Sequence, residues 1–231
     1  HVVDSLRRIG GQCMELYPDK PIYDIPAVPV CTGRQLTESL LRQIAPFKPT
    51  FHLGQAVTTV QRQDDGRFRV ETSNRVQFVA RTVFIAAGVG AFEPRRLRVE
   101  GIERFNDTQL LYRVRNPAEW AGKRLMIAGG GDSALDWALT FAKDGTHSSE
   151  SLTLVHRREE FRAAPASVAQ MRELVGQGRI RLLIGQVTGF EQDGGRLSAV
   201  QVTAADGATT RVPLDALMVF FGLSPRLGPI A

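Results

Sequence analysis

Three consecutive glycines, Gly129 to Gly131, separate an apolar segment from an amphipathic one in the stretch KRLMIAGGGDSALDWALTFAKDG. With Ala134 they give the spacing GxGxxA, which is typical of a strand–turn–helix unit that binds the pyrophosphate of a dinucleotide. Gly129 would make the tight turn, and Gly131 would let backbone N–H groups approach the pyrophosphate at the start of the helix. The pattern predicts a dinucleotide site, and the alternative is a glycine-rich turn that binds nothing.

A cationic group follows the next apolar segment, in the stretch LTLVHRREEFRAAP. In a dinucleotide-binding unit the end of the second strand faces the adenosine ribose, where an acidic residue would accept a hydrogen bond from a free 2′-hydroxyl. His156, Arg157 and Arg158 occupy that position instead, and Arg162 follows one helical turn further on. Guanidinium groups bind a 2′-phosphate through charge-assisted hydrogen bonds, so the sequence predicts NADP(H) rather than NAD(H). The alternative is a solvated, cationic entry to a helix, in which the two following glutamates neutralise the arginines.

The periodicity around these residues predicts the elements that position them. A strand is predicted over residues 125–128, a helix over 133–143 and a second strand over 152–155, which is the order that a parallel α/β unit requires. His156 is expected to pack or stack rather than to catalyse, because no acid or nucleophile is spaced to work with it. The predicted nucleotide contacts are Gly129, Gly130, Gly131, Asp132, Ser133, His156, Arg157, Arg158 and Arg162.

A longer pattern occurs twice along the chain, once over residues 52–94 and once over 182–225. Each copy has a Gly-Gln pair, alternating strand residues that fold back at a glycine turn, a third strand, and then a continuous apolar strand over 82–88 or 216–222. Alternating residues are typical of an antiparallel meander with one solvated face, whereas a continuous apolar run suits a parallel strand covered on both faces. The fold class is therefore predicted to be α/β, doubly wound, with two lobes.

Two further features are predicted ahead of the first copy. Val2 and Val3 end a strand, and Asp4 stands where the ribose carboxylate of a dinucleotide-binding unit belongs. By comparison with the second unit, about 30 residues of a first unit are absent, so the chain is expected to be a fragment. A helix is also predicted over residues 33–45, with inward-facing side chains from Leu36, Leu40, Leu41 and Ile44.

Composition and charge narrow the class of protein. The 231 residues include 43% hydrophobic residues, and the net charge of +5 with a pI near 9.7 favours acidic partners. Nucleic acid is the weaker interpretation, since no basic stripe is interleaved with aromatic residues. No apolar run approaches the roughly 18 residues that a membrane span needs and the first residues do not resemble a signal peptide, so no membrane association and a cytoplasmic location are expected. The two cysteines, Cys13 and Cys31, form neither a disulfide framework nor a metal-ligand spacing.

The sequence resembles the two-dinucleotide-binding flavoproteins, and within them the thioredoxin-reductase-like ferredoxin:NADP+ reductases. The resemblance covers nearly the whole chain and rests on the motifs DSLRRIGGQCMELYPDKPIYDIP, APFKPTFHLGQAV, FIAAGVGAFEPRRL, GGGDSALDWA, HRREEFRA and VFFGLSPRLGPIA. It implies FAD in a first domain, NADPH in a second, electron exchange with ferredoxin or flavodoxin, and a homodimer. The implied flavin contacts are Asp4, Gln12, Tyr17, Val57 and Phe92.

The resemblance also implies the division of the chain into domains. Residues 1–106 correspond to a partial FAD-binding (Rossmann-like) domain, residues 107–223 to a complete NADPH-binding domain, and residues 224–231 to the start of a return to the first domain. The family's first glycine-rich turn and its C-terminal flavin segment have no counterpart in the chain.

The same superfamily contains disulfide reductases, which need two cysteines close together in the sequence. Cys13 has no such partner, so a thioredoxin-reductase activity is disfavoured. The predicted function is electron transfer from NADPH through FAD to an acidic carrier, for which the exposed cluster Arg95, Arg96 and Arg98 is expected to matter. The alternative is a non-catalytic NADPH-binding module or sensor without a complete flavin site.

Overall fold

A computed structural model of the protein describes residues 1–16, 18–88, 90, 93–143, 145–224 and 228–230. The chain folds as two compact units. Unit 1 comprises His1–Glu93 with Pro225–Ala231, and unit 2 comprises Pro94–Ser224. Among the described residues, no helix combines the length and the apolar character needed to cross a bilayer.

Unit 1 contains short strands and two helices. Its strands are β1 (Val2–Val3), β2 (Pro21–Ile22), β3 (Cys31–Thr32), β4 (Phe51–His52), β5 (Val57–Arg62), β6 (Phe68–Thr72) and β7 (Gln77–Ala80), and its helices are α1 (Gly11–Leu16) and α2 (Gly33–Ile44), the latter continued by a 3-10 turn over Ala45–Phe47. β1 pairs in parallel with β4, and β5, β6 and β7 form an antiparallel meander. The predicted first strand and first meander are therefore present.

Helix α2 begins where Thr32 caps its first turn. The Thr32 hydroxyl accepts a hydrogen bond from the Gln35 N–H at 3.2 Å, and the Gln35 side chain accepts one from the Thr32 N–H at 2.9 Å. This reciprocal capping box satisfies backbone donors that the helix itself leaves unpaired. The predicted helix is confirmed to within one residue, but the inward orientation predicted for Leu40 is wrong, because its side chain is 51% exposed.

The continuous apolar strand predicted over residues 82–88 does not form. Phe84 is 91% exposed and Ile85 is 63% exposed. A strand that is apolar on both faces needs neighbouring strands and a covering layer on each side. None of the described residues pairs with 82–88, so neither condition is met and the prediction is wrong for this segment.

Unit 2 is built on a parallel sheet and a second meander. After β8 (Glu93–Pro94) its strands are β9 (Leu110–Leu111), β10 (Arg124–Gly129), β11 (Ser151–His156), β12 (Arg181–Ile184), β13 (Gln186–Asp193), β14 (Arg196–Thr203), β15 (Thr209–Pro213), β16 (Ala216–Phe220) and β17 (Leu223–Ser224), with helices α3 (Asp132–Ala142) and α4 (Pro165–Gly176) and 3-10 turns over Ile102–Phe105 and Pro117–Trp120. The parallel sheet has the order β12-β11-β10-β16-β9, and β13, β14 and β15 form the meander.

The parallel strands of unit 2 carry the continuous apolar runs that the sequence predicts. Leu125 to Ala128 in β10 are at most 2% exposed, and Ala216 to Val219 in β16 are at most 1% exposed. Helix α3 packs on one face through Ala134, Leu135 and Ala138, while the meander side chains cover the other face. The strand, helix and strand predicted around the glycine-rich turn are therefore confirmed.

The boundary between the units lies earlier than the sequence prediction of 106/107. Leu97 and Val99 pack against the same cluster as Ile102 and Phe105, which includes the meander side chain Val187. Burial of these side chains against unit 2 accounts for the grouping of residues 94–106 with it.

A buried glutamine joins the meander of unit 2 to its parallel sheet. Gln109 is only 7% exposed. Its amide nitrogen donates to the carbonyl oxygens of Leu197 and Asp215 at 2.8 and 2.9 Å, and its amide oxygen accepts from the Leu197 N–H at 2.8 Å. All of these polar groups lie in a low-dielectric environment, where each would be costly to leave unpaired.

An ion pair lies at the same amino-terminal edge of the sheet and shares Asp215 with Gln109. Arg124 donates to Asp215 from its backbone N–H and from two guanidinium nitrogens, at 2.9, 3.2 and 2.7 Å. The hydrogen bonds from Arg124 lower the pKa of Asp215 from 3.8 to about 2, against the opposing effect of burial. Because the pKa is lower in the folded state, the pair stabilises unit 2 above pH 4 and this contribution is lost as the pH falls toward 2.

We therefore expect Asp215→Asn to reduce the free energy of unfolding by about 1 kcal/mol at pH 7, a modest value because the pair is partly exposed. The difference from wild type should shrink as the pH is lowered toward 3. Tryptophan fluorescence during urea unfolding measures this in unit 2 alone, since both tryptophans, Trp120 and Trp137, belong to it. Asp193→Asn, at an exposed position, is the matched control. An equal difference at both pH values would contradict the assignment.

Candidate functional site

The glycine-rich turn lies at the carboxyl end of β10, where backbone segments approach too closely for a side chain. A Cβ atom added to Gly129 would lie 2.6 Å from the Phe220 carbonyl oxygen and 2.8 Å from the Ala134 Cβ. Neither neighbour is a flexible side-chain end, so only glycine fits. Gly129 and Ala134 thus have the turn and packing roles that the sequence predicts.

Gly131 differs from Gly129 because the space beside it is open. It is the residue before helix α3, with φ −101° and ψ −179°, and a Cβ added to it would meet no atom within 4 Å. No side chain caps the first turn of α3. Uncapped N–H groups at a helix start beside an open glycine are the features that a pyrophosphate requires, so the turn fits a dinucleotide.

Asp132 connects the start of α3 to the start of α4. Its carboxylate oxygen accepts a hydrogen bond from the Ala164 N–H at 2.8 Å, although 32 residues separate them. This bond commits the carboxylate to α4 rather than to the open turn and satisfies a donor at the beginning of that helix. Ser133 is exposed in the first turn of α3, where its N–H faces the same end of the helix.

His156 packs over the glycine-rich turn. A Cβ added to Gly130 would overlap the His156 ring, and that ring also lies against Phe161 with centroids 4.9 Å apart. Burial lowers the pKa of His156, and the charges of the neighbouring arginines lower it further, while the Glu160 carbonyl oxygen opposes the shift. The ring is therefore neutral at pH 7 and acts in packing, in agreement with the sequence prediction.

Arg157, Arg158 and Arg162 are exposed beside the turn. Within the described part of the chain none of them forms a salt bridge, and neither do Glu159 and Glu160. The adjacent glutamates therefore form no ion pair with these arginines, and the exposure of the arginines is compatible with a phosphate site and with a solvated surface. Three unpaired guanidinium groups at the end of β11 suit a phosphate group.

The position predicted for Arg162, one helical turn after the other arginines, is wrong. Residues 157–164 are not helical, and α4 begins only at Pro165. The Arg162 N–H instead donates to the Gly130 carbonyl oxygen at 2.8 Å. This loop folds back over the turn because it is tied there by Arg162 and by Ala164, and Pro165 at the first helical position was the sequence signal for the late start.

In unit 1 the structure brings some of the predicted flavin contacts near one another and leaves others apart. Asp4 follows β1, and its carboxylate accepts from the Leu6 N–H at 2.9 Å. The Gln55 N–H donates to the Asp4 carbonyl oxygen at 3.0 Å, which places Asp4 near the start of β5 at Val57.

The remaining predicted flavin contacts are Gln12, Tyr17 and Phe92. The Gln12 amide in α1 lies 3.7 Å from the position of a Cβ added to Gly88. Tyr17 and Phe92 lie outside the described residues.

Both cysteines are free thiols, with Cys13 in α1 and Cys31 buried at the start of β3. No other cysteine occurs in the sequence. The described residues also contain no group of three or more His, Cys, Asp or Glu side chains arranged to hold a metal ion.

Residues 19–231 match the family described as pyridine nucleotide-disulphide oxidoreductase. The chain is 65% identical over all 231 residues to a ferredoxin–NADP reductase of Albidiferax ferrireducens and 62% identical to one of a Polaromonas species. It spans 65% and 63% of the length of these two relatives.

Solved structures share the fold at low identity. A thioredoxin reductase of Lactococcus lactis aligns with a TM-score of 0.79 and 21% identity, covering 97% of this chain and 70% of that one. A bacillithiol disulfide reductase from Staphylococcus aureus aligns with a TM-score of 0.79 and 15% identity, covering 99% of this chain and 70% of that one. The predicted fold class, two-lobed and Rossmann-like, is confirmed by these alignments.

The two glycines of the turn give opposite expected results on substitution. Gly131→Ala should leave the free energy of unfolding within about 1 kcal/mol of wild type but weaken NADP+ binding at least about tenfold, because the methyl group enters the open space of the turn. Gly129→Ala should instead destabilise unit 2 by about 2 kcal/mol or more, because it overlaps backbone. Calorimetric titration with NADP+ and tryptophan-monitored unfolding separate the two effects. Unchanged NADP+ affinity in Gly131→Ala would exclude this turn as the pyrophosphate site.

Proposed function

The chain belongs to the pyridine nucleotide-disulphide oxidoreductase family, and from that premise we propose that it is part of a flavin-dependent enzyme that passes electrons from NADPH through FAD to ferredoxin or flavodoxin. The observation that carries the proposal is the open turn at Gly131 beside the unpaired guanidinium groups of Arg157 and Arg158. Both features lie at the carboxyl edge of a parallel sheet, which is where α/β folds bind nucleotides.

Each residue of unit 2 has a separate role in this proposal. The N–H groups at Gly131, Asp132 and Ser133 would bind the pyrophosphate. Arg157 and Arg158, assisted by Arg162, would bind the 2′-phosphate and so select NADPH over NADH.

The side chains of two of the predicted contacts would hold the turn in place. His156 fills the space over Gly130 and Asp132 holds the start of α4, so both would keep the turn in a binding conformation. When bound, FAD would supply the conversion of a hydride from NADPH into single electrons, so no side chain need act as a general acid or base.

The flavin half of the proposal rests on unit 1. Asp4 follows a parallel strand, which is the position from which a carboxylate reaches a ribose hydroxyl. The Gln12 amide could satisfy a polar edge of the flavin ring, and Val57 could pack against it. Tyr17 and Phe92 complete the proposed set by resemblance alone.

Ferredoxin or flavodoxin is proposed as the acceptor in preference to a disulfide. A disulfide reductase needs a pair of neighbouring thiols, and the two cysteines of this chain are 18 positions apart in different elements. The similar proteins from Albidiferax ferrireducens and Polaromonas are both named ferredoxin–NADP reductases, which supports the same choice.

A second candidate is a non-catalytic NADPH-binding module or sensor. It is favoured by one observation, that the apolar segment 82–88 of unit 1 is exposed and does not form a strand. A flavin ring needs a firm apolar support, which this segment does not provide in unit 1 as described.

The two candidates differ in their response to flavin. We expect a version of the protein at the full length of its relatives to bind FAD and, without oxygen, to lose visible flavin absorbance when NADPH is added. NADH at the same concentration should cause a much slower loss, because it has no 2′-phosphate to meet Arg157 and Arg158. A full-length version that binds NADPH but never flavin would support the module and contradict the enzyme.

Nucleotide selection depends on the arginines that follow β11. Arg157→Ala/Arg158→Ala should lower the ratio of NADPH to NADH affinity by at least about a hundredfold, because two charge-assisted hydrogen bonds contribute about 1.5 to 3 kcal/mol each. NADH affinity should hardly change. Calorimetry at fixed low salt measures both, and Arg172→Ala/Arg196→Ala removes the same charge elsewhere on unit 2. An unchanged ratio would contradict the role of Arg157 and Arg158 in nucleotide selection and would favour the solvated alternative.

A further inference from the structure

A second group of arginines lies at the carboxyl edge of the unit 2 sheet, together with two aromatic residues. The Arg95 N–H donates to the carbonyl oxygen of Gly222, which follows β16, at 3.0 Å. The Leu97 N–H donates to the hydroxyl of Tyr112, which follows β9, at 3.1 Å. Because β9 and β16 run parallel to β10, these contacts lie at the same edge as the glycine-rich turn.

The side chains of this group are exposed and uniformly cationic. Arg95, Arg96 and Arg98 are all exposed and form no salt bridge within the described part of the chain. Residues 94–98 and 112–115 include no acidic residue. Glu93 and Glu100 flank the first segment, and the three arginines outnumber them, so the surface carries a net positive charge.

Aromatic side chains accompany these arginines. The Arg96 guanidinium carbon lies 5.9 Å from the centre of the Tyr112 ring, and Phe221, beside Gly222, is 41% exposed. We call Arg95, Arg96, Arg98, Tyr112 and Phe221 the docking face.

We infer that the docking face binds an acidic, single-electron carrier protein, an inference that rests on the proposed function. Arginine, tyrosine and phenylalanine are the residue types enriched in protein interfaces, where aromatic side chains supply contact area at the centre and charges steer the encounter. The cationic rim would attract an acidic carrier over long range.

The docking face is separate from the site proposed for the 2′-phosphate. Arg157 and Arg158 follow β11, whereas Phe221 follows β16 and Tyr112 follows β9, so strand spacings of about 4.8 Å put the docking face roughly 10 to 14 Å from these arginines. The adenosine phosphate would thus lie at one end of the edge, and the docking face lies toward the other end.

The opposite edge of the same sheet provides a matched comparison. Lys123, Arg181 and Arg196 are also exposed, form no salt bridge within the described residues, and line two cavities of about 440 and 450 Å³ at the amino ends of the strands. Their neighbours include the acidic residues Glu150 and Asp215. Substituting either group of three by glutamine lowers the formal net charge from +5 to +2.

The experiment compares Arg95→Gln/Arg96→Gln/Arg98→Gln with Lys123→Gln/Arg181→Gln/Arg196→Gln. Binding of an acidic [2Fe–2S] ferredoxin to the 231-residue chain is measured by calorimetry at low ionic strength and again at about 0.5 M salt, where the Debye length is only a few ångströms. We expect the ferredoxin Kd to rise at least about tenfold in the docking-face variant at low salt and by less than about twofold in the other variant. The NADP+ Kd should be unchanged in both.

Equal losses of ferredoxin affinity in the two variants would overturn the inference, since net charge alone would then explain binding. Unchanged affinity in the docking-face variant, or no ferredoxin binding by wild type, would also overturn it. The binding measurement needs no turnover. Failure of NADPH to reduce bound flavin would therefore count against the proposed function, whereas these outcomes count against the docking face.

Discussion

The close approach of the Phe220 carbonyl to Gly129 determines the arrangement of the whole carboxyl edge of unit 2. A Cβ at this position would lie 2.6 Å from the carbonyl oxygen, so the paired ends of β10 and β16 can meet only where a side chain is missing. That contact fixes where the chain leaves β10, and hence where helix α3 begins and where Gly131 opens to solvent. It also fixes the end of β16, from which Gly222 accepts the hydrogen bond of Arg95. The glycine-rich turn and the docking face therefore lie on one edge and share the end of β16 as a support.

The sequence predicts the strand, glycine-rich turn and helix around Gly129 well because their signals are local. A strand, a glycine turn and a helix follow one another within about 20 residues, and each is specified by its own periodicity or spacing. The second strand and the arginines at its end are close in the sequence as well. The capping box of Thr32 and Gln35 at the start of α2 is also local, although the prediction of that helix rested on its apolar periodicity. The packing roles of Gly129, Ala134 and His156 could thus be predicted from the sequence.

Other features depend on contacts between distant residues, which no local pattern reports. Asp132 is predicted from the sequence as a nucleotide contact at the start of α3, yet its carboxylate accepts a hydrogen bond from Ala164, 32 residues later. That bond, together with the one from Arg162 to Gly130, turns an expected helix entry into a loop folded over the turn. The segment 82–88 has the composition of a buried strand, but burial requires neighbours that composition cannot supply. The exposure of Leu40 in an otherwise correctly predicted helix has the same origin.

The hydrogen bonds of Gln109 have a consequence for local unfolding. The Leu197 N–H of the meander donates to the side chain of Gln109, the residue immediately before β9. The meander cannot detach at this point without breaking a bond to the parallel sheet and leaving buried carbonyl groups without donors. Sub-global opening of one sheet should therefore involve the other, so we expect the amides of the two sheets to exchange as one cooperative unit. Through the Gln109 side chain, the meander therefore contributes to the stability of the parallel sheet.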